Sequence, residues 1–90
     1  MNVTVVIFFH KIQDVDKFKS VFSAAEKFRS EVGIKATFYK NLGDPQGVVV
    51  IGTAPSKEAF VSFISSPAQQ ERMKNAGVTE APSVTFIQSE

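Results

Sequence analysis

The 90-residue chain has no cysteine and no tryptophan, and it has only one histidine and one tyrosine. Without cysteine there is no disulfide framework, no thiolate nucleophile and no zinc site of the cysteine type, and an intracellular compartment is the simpler expectation. A lone histidine leaves no paired-histidine motif, and the acidic residues do not fall at calcium-loop spacing, so neither a metal nor another cofactor is expected. No apolar run approaches the roughly 20 residues that span a bilayer, and the N-terminal residues lack the pattern of a secretory signal. Ten basic residues against nine acidic ones, mixed along the chain, give no footprint for nucleic acid and no polybasic segment for a membrane surface. The chain therefore reads as cytoplasmic, with small molecules and a second copy of itself as partners.

What is present begins with Val3-Thr4-Val5-Val6-Ile7-Phe8-Phe9-His10, a strand apolar on both parities until its last residue. A strand that covers one face alternates, whereas a continuous run implies that both faces are covered. Gln13-Asp14-Val15-Asp16 supplies carboxylates for capping, and a helix is expected from about Val15 to Val32. Its apolar positions are Phe18, Val21, Phe22, Ala25, Phe28 and Val32, and Gly33 closes it. Lys35 to Lys40 suits a half-buried edge strand, and Asn41 to Gly47, with Asp44-Pro45 and two glycines, suits a hairpin turn. Gly43 and Gly47 do not open a helix after a strand, so they form no phosphate cradle. Val48 to Ile51 repeats the doubly apolar pattern and Gly52-Thr53-Ala54-Pro55 is expected to stop it. Ser56 caps a helix carrying Ala59, Phe60, Phe63 and Ile64, Pro67 starts a further helical segment to about Ala76, and Gly77 ends it. Ser83 to Gln88 is the last strand.

The order β-α-β-β-α-β over residues 1–90, with no linker, predicts one α+β domain. In the split βαβ arrangement the first and third strands are central and both helices lie on one face of a four-stranded antiparallel sheet. Two helices cover one face only. Either Val6 and Phe8 or the Val3, Val5, Ile7, Phe9 set is left bare, together with half of the third strand. A contiguous apolar surface of that kind marks an interaction site, and pairing of two sheets in a homodimer covers it most simply.

The order of elements, with the phrases His10-Lys-Ile-Gln-Asp-Val-Asp-Lys-Phe-Lys19, Tyr39-Lys-Asn-Leu-Gly-Asp-Pro45, Phe63-Ile-Ser-Ser-Pro67 and Met73-Lys-Asn-Ala-Gly-Val78, resembles the small proteins of the dimeric α+β barrel superfamily over nearly the whole chain. The resemblance implies a ferredoxin-like subunit whose sheets pair into a barrel. The superfamily includes cofactor-independent quinone-forming monooxygenases, polyketide cyclases, muconolactone isomerases and haem-degrading enzymes, and fold alone does not choose among them. With no tryptophan the Asn-Trp-His constellation of the haem-degrading branch is absent, and with one histidine a two-histidine cyclase arrangement is incomplete. Of the superfamily's reactive residues, a histidine near the end of the first strand carries over onto His10.

His10 is the candidate general base, able to take a proton from an activated carbon or a phenol; its structural alternative is a strand-end side chain that bonds locally or meets water. Tyr39 is the candidate donor to a substrate oxygen, or else a ring packed at the rim of an edge strand. Asn41 suits the turn, Arg72 a solvated helix face, and Asp14 and Asp16 a helix cap. Most of the nine phenylalanines are expected in the core, and Phe8, Phe22, Phe60 and Phe63 are the expected walls of a ligand pocket. Three functions are open: a ligand-binding or accessory module, a cofactor-independent monooxygenase, cyclase or isomerase acting on an aromatic or polyketide-like molecule, and a purely structural role.

Overall fold

The computed structural model describes residues 2–88. Four strands, β1 (Val3–Phe9), β2 (Lys35–Lys40), β3 (Val48–Ala54) and β4 (Ser83–Ile87), form one antiparallel sheet in the order β2-β3-β1-β4. The doubly apolar strands are the central pair, as their pattern requires. Register Val6↔Ile51, Phe8↔Val49 and Tyr39↔Val49 aligns the odd residues of β1 with the even residues of β3 on the helix side. Val5, Ile7, Phe9, Val48 and Val50 are accordingly buried.

The first expected helix is divided, and the second comes in the two segments its sequence predicts. α1 (Val15–Ala24) begins with Asp14 Oδ1 accepting from the Lys17 N–H at 3.1 Å, and α2 (Glu26–Glu31) follows after a break at Ala25. There the Ala25 N–H is shared between the Val21 and Phe22 carbonyls, and the backbone turns through φ −88° and ψ 0°. Val32, expected on the apolar face, is the C-cap of α2 and is 44% exposed, while Arg29 is buried. α3 (Lys57–Ile64) is capped by Ser56, and α4 (Pro67–Asn75) is capped by Ser66 with Pro67 in its first turn, where a missing N–H costs nothing. Gly33 at φ +75° and Gly77 at φ +89° end the α2 and α4 segments, in the left-handed region that side chains disfavour.

β3 runs three residues beyond the expected stop. Gly52 continues it because a Cβ there would collide with the Lys35 carbonyl of β2, so glycine permits close strand approach rather than a turn. Between sheet and helices, Phe9 meets Phe18 edge-on at 5.0 Å between ring centroids, and Phe60 meets Phe86 likewise at 5.7 Å. Among the described residues no helix is long and apolar enough to cross a membrane.

The opposite face of the sheet carries no helix. Tyr39, Val49 and Phe8 form one cross-strand row on it, and Thr37, Ile51 and Val6 form the next. Phe8 is 38%, Ile51 39% and Tyr39 48% exposed.

Candidate functional site

Alternation along β1 and β3 sends Ile7, Phe9 and Val50 toward the helices, and helical spacing sends Phe18, Val21 and Phe22 of α1 and Phe60 and Phe63 of α3 back toward them. These side chains do not close the space completely. They surround a cavity of about 70 Å³ with fourteen apolar and three polar residues in its wall. The polar three are Arg29, Gln69 and Arg72. Gln69 and Arg72 belong to α4 and are half-buried, which puts the cavity's mouth on that side.

Arg29 is only 7% exposed and stacks its guanidinium over the Phe22 ring, 3.9 Å from the centroid. Arg72 lies over Phe28 at 4.5 Å, and its Nε–H donates to Gln69 Oε1 at 2.9 Å, which fixes the plane of the guanidinium. Burial pushes the Arg29 guanidinium below its ordinary value; the Glu26 charge opposes this, and the charge of Arg72 adds to it. An arginine remains charged under such shifts.

Of the residues singled out from the sequence, Phe22, Phe60 and Phe63 stand in the cavity wall. Phe8 does not: its parity in β1 places it on the open face, opposite Val49. Tyr39 shares that face, and neither it nor His10 lines the cavity. His10 follows the last residue of β1 and has its Nδ1 3.8 Å from Asp44 Oδ2, with the side chain about half exposed. Asp44 and Asn41 are engaged by their own turn, accepting from the Gln46 and Gly43 N–H groups at 3.0 and 2.9 Å. Asp14 serves as the α1 cap, and Asp16 sits exposed in that helix's first turn.

Arg72 corrects an expectation: it faces the cavity rather than solvent, because α4 packs its 69, 72, 73 and 76 side toward the sheet. Arg29 and Gln69 were not anticipated. For Arg29 the signal lies in the sequence, since Phe18, Phe22, Ala25 and Arg29 follow one another at spacings of four, three and four. A charge on an apolar stripe departs from the solvated-face rule.

No family model matches the chain and no curated protein is similar to it in sequence. Solved structures are similar to it in fold. SnoaB, a cofactor-independent oxygenase from Streptomyces nogalater, aligns with a TM-score of 0.76 at 17% identity over 99% of this chain and 93% of its own. A Bordetella bronchiseptica protein proposed to be an antibiotic biosynthesis monooxygenase gives 0.80 at 17% identity, over 99% and 97% of the two chains. A conserved protein from Methanosarcina mazei Go1 gives 0.75 at 11% identity, over 100% and 94%. The chain has the ferredoxin-like α+β fold of these antibiotic biosynthesis monooxygenase-like structures, as its sequence resemblance implies.

Proposed function

We propose that this chain binds a planar, largely apolar small molecule in the cavity between its helices and its sheet, and that it does so as a homodimer joined through the open sheet faces. The observation that carries the reading is the cavity wall: an aromatic and aliphatic lining with three polar groups, Arg29, Gln69 and Arg72. That composition is typical of small-molecule sites. The cavity is smaller than the roughly 150 Å³ that accepts benzene elsewhere. One ring therefore enters with movement of the wall, for which the flexible Met73 is suited. A larger ring system projects through the mouth past Gln69 and Arg72. The exposed Phe8, Ile51 and Tyr39 support the dimer, since a second sheet would cover them.

Likeness to SnoaB favours a second reading, cofactor-independent oxygenation of the bound aromatic or polyketide-like molecule, over cyclisation or isomerisation. In such a reaction the substrate supplies the electrons. A ring methylene flanked by phenol-bearing rings loses a proton and reduces dioxygen; one oxygen atom becomes a carbonyl on that carbon and the other leaves as water. The protein's share is to orient the substrate and exclude solvent. His10 and Tyr39 do not line the cavity, and this reading assigns them no role.

Titration with phenol and 2-naphthol, followed by oxygen-electrode assays with anthrone-type compounds, tests both readings. Val21→Phe fills the cavity from α1 and is expected to abolish binding while leaving assembly unchanged. Undiminished affinity in that variant contradicts the binding reading. Binding without oxygen uptake across the anthrone series contradicts only the oxygenation.

A further inference from the structure

Two guanidinium groups reach one apolar cavity, and nothing in its wall neutralises them. Among the described residues the ion pairs are His10 with Asp44 and Lys11 with Glu80, and neither involves an arginine. No carboxylate lines the cavity. Arg29 and Arg72 instead satisfy their faces by stacking on phenylalanine rings, which leaves the N–H edge of each guanidinium for another partner. Arg72 has spent its Nε–H on Gln69, which holds the fork in one plane while its terminal nitrogens keep four donors. Glu26, outside the cavity wall, partly offsets the cost of burying Arg29, and the like charge of Arg72 adds to that cost; an anion between the two arginines would relieve the latter.

We propose that the natural ligand of this cavity is an aromatic carboxylate, its ring against the phenylalanine and aliphatic wall and its carboxylate clamped by Arg29 and Arg72. The proposal rests on the cavity being the binding site. A carboxylate fits the positions better than a neutral polar group because it accepts two parallel N–H bonds from a guanidinium plane. The site thereby discriminates by charge as well as shape: a neutral ligand of equal size brings no anion to the two guanidinium groups.

The test compares isosteric pairs, benzoate with benzamide and 2-naphthoate with 2-naphthamide, by calorimetric titration of the whole protein at neutral pH. Each carboxylate is expected to bind about tenfold or more tightly than its amide, the usual gain from hydrogen bonds to a charged group. Arg72→Gln should narrow the gap between carboxylate and amide severalfold, and Arg29→Gln should narrow it likewise. Lys17→Gln, which removes an exposed charge on α1, should preserve the preference and so excludes general attraction to a cation-rich surface. Equal affinities within each pair, with both members binding, would overturn the carboxylate assignment and leave the cavity as the site. A preference that survives Arg72→Gln undiminished would overturn it too. Failure of all four compounds to bind would overturn the cavity reading together with this one.

Discussion

Gly52 sits where the β2 and β3 backbones approach most closely, and Gly33 and Gly77 occupy left-handed helix ends. The first is a contact problem and the others are conformational. Gly52→Ala should cost about 2 kcal/mol or more, since neither the Lys35 carbonyl nor Ala36 can move without disturbing the ladder. At Gly77 the Cβ would have ordinary room, so alanine there should cost only about 1 kcal/mol from φ. At Gly33 the added Cβ would also press on Pro55 Cγ at 3.0 Å, and a somewhat larger loss is expected. Urea denaturation of the three variants checks the ranking; Gly52→Ala as mild as Gly77→Ala would contradict the close approach. The helix-ending glycines and the caps Asp14 and Ser56 are legible in the sequence because each follows from local backbone chemistry. Gly52 was read as a stop because the sequence does not reveal that another strand's carbonyl lies against it.

At the scale of elements, the break at Ala25 leaves the inward stripe from Phe18 to Arg29 in place. No glycine or proline marks the break, and alanine favours helix, so intrinsic propensity points to an unbroken run. Arg29 continues the inward stripe of Phe18, Phe22 and Ala25 across the break and is buried, whereas Val32 is the C-cap beyond the last turn of α2 and is exposed. The solvated-face rule assigns a charged residue to solvent, and packing overrides it at Arg29. A buried guanidinium without a carboxylate partner is a poor source of stability, and replacing such a group with an apolar one is often neutral or stabilising. Arg29→Met should therefore hold or raise the thermal midpoint, by an amount equivalent to about 1 kcal/mol, because methionine can lie along Phe22 in its place. A fall equivalent to more than about 2 kcal/mol would show that the arginine is retained for the fold rather than for a ligand.

For the whole molecule, the order and pairing of strands follow from two continuous apolar runs and two patterned ones, so the ferredoxin-like subunit is readable before any coordinates. The same reading anticipates a bare sheet face and offers two possible parities, between which the buried Val5, Ile7 and Phe9 decide. Candidate chemistry was less readable: His10 and Tyr39 stand out by rarity, whereas a site is made by convergence, and the residues that converge come from α1, α2, α3, α4 and the sheet. If the open faces pair, light scattering at micromolar concentration gives about twice the chain mass of 9.9 kDa. Phe8→Glu, with its charge on that face, should then give the single-chain mass with helical content retained, because the opposite core is untouched. A wild-type monomer over the same range would contradict the sheet-paired assembly.

The cavity as binding site is the claim on which the functional reading depends, and methyl-resolved NMR during titration with 2-naphthol tests it most directly, because the two faces of the sheet carry different methyl groups. Ile7, Val21, Val50, Ile64 and Met73 line the cavity, whereas Val6, Val49 and Ile51 belong to the other face. Saturable shifts concentrated in the first set, with the second unmoved, are the predicted result. Shifts confined to Val6, Val49 and Ile51, or none in either set, would contradict the account.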